Sequence, residues 1–217
     1  MHSTLSRKAA LSLFSVVVLT WGLNWVVTKY IVQSVPPVWT TAIRSGIACV
    51  IVLVIQIVRR DLIIPRLGGV PVILAIALLH MVAFSTLVAQ GLLHVSVGRS
   101  IVLGYTTPLW VIPFAWLLLG ERLSLRGLLG VASGLAGLLF LLNPLSFDWS
   151  DREVLRGHAL ILLASWCWAA SILYVRRHRW LATPFQLIFW QTLLAVSVSS
   201  IVAVRLEGWP MVDWSPG

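Results

Sequence analysis

Asn24, Arg44 and His80 stand inside long apolar runs and are the residues of this chain best placed to do chemistry. A polar or ionisable group in such a run is costly, so it marks either a packed partner or a pathway. Arg44 lies six residues into its run, roughly 9 Å at 1.5 Å per residue. It either snorkels outward along its own stem or faces an internal cavity, where it would favour substrates with an anionic group. His80 is either a hydrogen-bonded packing residue or a proton sensor. Asn24 shares a helix face with Trp21, one turn earlier. Together with Tyr105 and Trp168, these residues form the expected lining of a substrate cavity.

The stretch "YTTPLWVIPFAWLLLGERLS", residues 105–124, adds a second group. Pro108 removes a backbone donor and crowds the carbonyl one turn earlier, which in a bilayer must find another partner. Thr106 and Thr107 are placed to supply hydroxyls. Pro108, flanked by Tyr105 and Thr106, suits a helix lining a pathway, though a purely packing role fits the same residues. Gly120 is expected to stop this helix and Ser124 to cap the next. Glu121 can pair with Arg122, with Arg126 or with a basic residue of another loop. Glu121 and Arg122 therefore read as a structural tie or as part of a cytoplasmic gate.

Enzymes need tighter constellations. The five histidines (2, 80, 94, 158 and 178) are dispersed and none has HExxH spacing. No apolar run contains Asp or Glu. The expectation is a non-enzymatic protein with no catalytic residues, no metal and no cofactor. Cys49 and Cys167 both fall in apolar runs and read as small packing residues.

The elements that must position these residues are membrane helices. Of 217 residues 59% are hydrophobic and only 11% charged, against roughly 25% in soluble domains, and the mean hydropathy is +0.95. The apolar residues form runs of the length that a hydrocarbon core of about 30 Å requires, without the alternation of a β-barrel. Seven spans are predicted, over 9–28, 38–58, 70–90, 100–119, 125–142, 157–175 and 184–204. The fold class is all-α, a polytopic helical membrane protein. The first run follows Arg7 and Lys8 but is too long for a secretory signal and lacks a cleavage site.

Charge in the connections gives an orientation. With the N-terminus in the cytoplasm, the inner segments hold ten Lys and Arg and the outer segments five, which satisfies the positive-inside rule. The net charge of +9 is explained by that bias, so no nucleic-acid partner is expected. Of the twelve tryptophans, Trp39, Trp149, Trp180, Trp209 and Trp214 fall near interfaces as an aromatic belt. The deeper ones, including Trp110, Trp166 and Trp190, need a partner for the indole N–H or a cavity. Gly127, Gly130, Gly134 and Gly137 line one stripe of the fifth helix, with Gly130 and Gly134 forming GxxxG. That seam would pack either within the bundle or between two copies in a homodimer.

An internal repeat is visible. "LTWGLNWVVTKY" (19–30) is followed by Pro37 and Arg44; "ASWCWAASILYV" (164–175) is followed by Pro184 and Gln191. A first unit of five spans starts its copy on the opposite side of the membrane, the inverted topology common among secondary transporters. "TWGLNWVVTKYIVQSVPPVWTTAIR" (20–44) and "GRSIVLGYTTPLWVIPFAWLLLGERLSLRGLLGVASGLAGLLFLL" (98–142) resemble the EamA-type repeat of the drug/metabolite transporter superfamily. The resemblance implies ten helices in two inverted five-helix halves around a central cavity. It also implies alternating-access transport of small metabolites, amino acids or drugs across a bacterial-type inner membrane. On that basis residues 1–142 form the first repeat, 143–156 a periplasmic linker and 157–217 an incomplete second repeat of two helices. The missing helices suggest a fragment or truncated product, whose Trp166, Trp168, Gln191, Ser197, Ser199 and Ser200 would be left uncovered. A non-transporting seven-helix protein or an inactive fragment is the alternative function. The partners this reading allows are a small-molecule substrate, the lipid bilayer and a second copy of the chain in a homodimer, with no nucleic acid.

Overall fold

The computed structural model describes residues 6–122, 124–143 and 150–209. Trp149, Trp214, His2 and residues 144–149 of the linker expected over 143–156 lie outside the described residues. Within them the chain forms seven helices: α1 (Arg7–Ile31), α2 (Pro37–Arg59), α3 (Leu67–His94), α4 (Val97–Leu119), α5 (Leu125–Leu142), α6 (Arg152–Arg177) and α7 (Pro184–Glu207). All but α5 are long and apolar enough to cross a membrane. Each expected span falls inside one helix, so the protein is a polytopic helical membrane protein.

The helix ends follow local chemistry. Pro37 and Pro184 open α2 and α7 at positions where a missing N–H costs nothing. Thr183 and Gln186 form a reciprocal capping box on α7. Asp151 accepts from Glu153 N and Val154 N at 3.1 Å each to start α6. Ser124 caps α5 by accepting from Gly127 N at 3.1 Å. Gly120 ends α4 with φ at 68°, the left-handed conformation that glycine adopts at no steric cost.

Two helices are irregular. α3 widens over Ile76–Phe84 into a nine-residue π-helical stretch, and α4 breaks at Tyr105–Thr106 into Val97–Gly104 and Thr107–Leu119. Both irregularities adjoin the cavity described below.

α2 and α7 run side by side and are tied at both ends. Glu207 accepts from Val38 N and Trp39 N at 3.0 Å each, which supplies the cap that Pro36 cannot give. At the opposite end Gln56 donates to the Phe185 carbonyl. Gln191 and Ser199 of α7 are buried (5% and 0% exposed), so the expectation that they stay uncovered is wrong. α2 and α3 together supply the partner surfaces for α7.

α6 lies across α3 and α4. Its crossing with α3 needs two glycines: a Cβ on Gly157 would sit 3.1 Å from Gly91 O, and a Cβ on Gly91 would sit 2.5 Å from Ile161 Cγ1. α1 packs mainly on α3 and α4, and α5 packs on α4. Of the α5 glycine stripe, Gly134 meets Leu109, whereas Gly130 and Gly137 face open space.

Gly157→Leu should therefore lower stability by about 2–3 kcal/mol through overpacking against backbone. Gly22→Leu, whose added Cβ meets nothing within 4 Å, should leave the melting temperature in detergent unchanged. Equal melting temperatures for the two variants would contradict this crossing.

Candidate functional site

Arg44 is the eighth residue of α2, and its side chain crosses to α1 and α3. Nη1 donates to Asn24 Oδ1 at 3.3 Å and Nη2 to Ser85 Oγ at 2.8 Å. Both acceptors are neutral, and no carboxylate among the described residues pairs with the guanidinium. Arg44 stays exposed as a residue, so its remaining N–H groups are reachable. The result is one positive charge that the protein positions without neutralising.

Aromatic rings close the space around it. His80 stacks on Trp168 with centroids 5.4 Å apart and planes 12° from parallel. Phe84 lies 5.0 Å from the same indole, and Trp21 meets it edge-on at 6.0 Å. Trp25 and Tyr105 pair at 6.4 Å on the other wall. Trp25 fits only because residue 104 is glycine: a Cβ there would lie 2.5 Å from Trp25 Cη2. The enclosed cavity is small, about 50 Å³.

The structure gathers Trp21, Asn24, Arg44, His80, Tyr105 and Trp168 around this one cavity. Thr106 and Pro108 do not line it. Thr106 is buried just behind: Oγ1 donates to Leu103 O at 2.6 Å, lies 3.2 Å from Ser165 Oγ, and accepts from Trp110 Nε1 at 3.1 Å. Pro108 is the second residue of the outgoing segment, on an exposed face. The carbonyl it deprives is that of Gly104, and Thr107 Oγ1 donates to it at 2.8 Å. The break is thus a satisfied one, as a bilayer demands.

Ser85, Thr28, Phe84 and Val88 also line the cavity and were not expected from the sequence. In a regular helix, residues five apart point about 140° away from each other. The π-helical stretch of α3 instead brings His80 and Ser85 to one side, a juxtaposition that spacing alone hides.

The polar groups at the bundle ends form ties. Glu121 pairs with Arg176 of α6 at 3.2 Å, a half-exposed contact, and not with Arg122 or Arg126. At the other end His94 Nδ1 meets Glu153 at 3.2 Å, and Lys29 donates to the carbonyls of Leu92 and Val95. Cys49 and Cys167 are free thiols. Among the described residues no three His, Cys, Asp or Glu side chains gather as a metal-binding group.

Comparison with known proteins gives one family. Residues 8–143 match the EamA-like transporter family. The chain is 23% identical over 208 residues to the uncharacterized transporter YoaV of Bacillus subtilis (strain 168), covering 96% of this chain and 70% of the relative. It is 27% identical over 173 residues to the uncharacterized transporter YvbV of the same organism, covering 79% of this chain and 54% of that relative. Protein PagO of Salmonella typhimurium is 26% identical over 133 residues, 61% of this chain and 44% of the relative. The chain thus spans 70% of the first of these relatives and about half of the second. No solved structure matches.

The Thr106 network yields a stability test. Thr106→Val removes the acceptor of Trp110 Nε1 in a buried setting and should cost about 1–3 kcal/mol. Thr106→Ser retains the hydroxyl and should cost less than half as much. If the two variants melt together in detergent, the hydroxyl network does not hold the α4 break.

Proposed function

The chain belongs to the EamA-like transporter family, and from that premise we propose that it is part of a secondary transporter acting by alternating access. Its cargo is a small metabolite, amino acid or drug, and the Arg44 cavity is the place where that cargo binds. The supporting observation is the un-neutralised guanidinium of Arg44, held by Asn24 and Ser85 inside a ring of aromatic side chains. A positive charge with no acid beside it favours a substrate carrying a carboxylate, phosphate or similar anionic group. The stacked His80 and Trp168, with Trp21 and Phe84, offer apolar walls for the rest of the molecule.

In this conformation the cavity, at about 50 Å³, is far below the roughly 300–1,000 Å³ of ligand sites. Transport therefore requires helices around it to part. The α4 break beside Tyr105 and the widened turns of α3 are the elements proposed to give. The rigid partner is the α2–α7 pair, held at both ends. We assign residues 1–142 and 157–217 to two inverted repeats, because helix order and the Trp21/Trp166 and Pro37/Pro184 correspondences run in parallel. The arginine bias supports a cytoplasmic N-terminus in a bacterial-type inner membrane. The activity needs no enzymatic step and no cofactor: binding and conformational change suffice. Glu121–Arg176 is proposed to tie α4 to α6 at the cytoplasmic face, with Arg122 free to face the headgroups.

The test is uptake into proteoliposomes from a panel of carboxylates, amino acids and cationic drugs. A cargo found there should lose about 100-fold in kcat/KM with Arg44→Ala, in keeping with a lost charge-assisted hydrogen bond. Arg44→Lys should retain part of the activity. Unchanged transport by Arg44→Ala would remove this residue from the pathway.

A further inference from the structure

A guanidinium carries N–H donors and no acceptor, and that asymmetry fixes the two neighbours of Arg44. Asn24 must turn Oδ1 toward Nη1, where it lies at 3.3 Å. The opposite amide orientation would set one donor against another. The Nδ2 atom and its two hydrogens therefore face away from the guanidinium. Ser85 is constrained in the same way: Oγ accepts from Nη2 at 2.8 Å, so its own hydrogen is directed elsewhere.

Neither residue donates a side-chain hydrogen bond to a protein group among the described residues. Both line the cavity beside Arg44. The bond each accepts from a charged group polarises it and makes its far side a stronger donor. Three side chains from three helices thus present hydrogens: the remaining N–H groups of Arg44 from α2, the amide of Asn24 from α1 and the hydroxyl of Ser85 from α3. The two oxygens of the set are already engaged by Arg44.

We propose that Asn24 is a specificity-determining contact for the cargo. Its amide N–H donates to the second oxygen of a carboxylate whose first oxygen sits on Arg44. This rests on the reading of the Arg44 cavity as the cargo site, and adds to it a discrimination between acid and amide. A carboxylate brings two acceptor oxygens and no hydrogen, so it satisfies Arg44 and Asn24 together. A carboxamide of the same shape brings one oxygen and one NH2 group, and that group meets a donor whichever way it turns. A site that pairs polar groups rejects a mispaired analogue far more strongly than an apolar pocket rejects a misfit. Asn24→Asp reverses the logic: it removes the donor and pairs with Arg44, so the amide becomes the better fit.

The chain has two asparagines, Asn24 and Asn143. The full chain carrying isotope-labelled asparagine therefore gives two side-chain amide signals by NMR, and Asn143→Ser identifies which belongs to Asn24. Benzoate and benzamide are the probes, since their flat ring suits the aromatic walls. In detergent, benzoate should move a side-chain N–H of Asn24 downfield and leave Asn143 in place; benzamide should move neither. Equilibrium binding of the two radiolabelled probes should favour benzoate by about tenfold or more. Asn24→Leu should weaken benzoate about tenfold, and Asn24→Asp should bind benzamide in preference. An Asn24 amide that stays still while benzoate binds in an Arg44-dependent manner would overturn the inference and leave the cavity reading standing. Equal affinities of the unaltered chain for acid and amide would do the same. Benzoate binding that is absent, or undiminished by Arg44→Ala, would overturn the cavity reading and this inference together.

Discussion

A guanidinium ion inside an apolar helix bundle must be hydrogen-bonded or it must leave. Arg44 meets that constraint through Asn24 of α1 and Ser85 of α3, and much of the local architecture serves this arrangement. α1 approaches with Asn24 on its inner face. α3 departs from regular α-helical geometry so that Ser85 and His80 share a side. Because both acceptors are neutral, the charge is placed but not cancelled. A carboxylate partner would have made a stable closed pair; two neutral acceptors leave the positive field available to a ligand. The proposed function rests on that difference.

The second theme is how a membrane protein breaks a helix without exposing its backbone. The Tyr105–Thr106 break frees carbonyls that water would satisfy in a soluble protein. Here Thr106 and Thr107 hydroxyls donate to Leu103 O and Gly104 O. Pro108 is the cause of one of those vacancies and Thr107 its remedy. The break removes the side chain of Tyr105 from the run of α4 and turns it toward the cavity, beside Trp25. Meanwhile α2 and α7 are fastened by a carboxylate at one end and an amide at the other. One part of the bundle is pinned and the other is jointed.

Much of this was legible in the sequence. Long apolar runs fix helices because a bilayer leaves no other way to satisfy the backbone, and the cap residues Gly120 and Ser124 mark ends within a residue or two. The candidate cavity was half legible. Trp21, Asn24, Arg44, His80, Tyr105 and Trp168 stand out because polar and indole groups are rare in apolar runs. Ser85 does not stand out: serine is ordinary in membrane helices, and only the π-helical stretch turns it toward Arg44. Thr106 and Pro108 were read as lining residues because their chemistry suits a pathway, but chemistry does not give the direction a side chain faces. The Glu121–Arg176 pair joins residues 55 positions apart, and no local pattern announces it. The burial of Gln191 and Ser199 depends on how closely α7 fits its neighbours α2 and α3, which is likewise a matter of three-dimensional packing.

The central claim is that the space beside Arg44 opens in turn to the two sides of the membrane. Tyr105→Cys, in a chain with Cys49 and Cys167 replaced by serine, places a single thiol on the cavity wall at the α4 break. In oriented vesicles a membrane-impermeant thiol reagent should label it from either face, and a transported cargo should slow labelling from both. Labelling from one face alone, at a rate indifferent to cargo, would contradict the account.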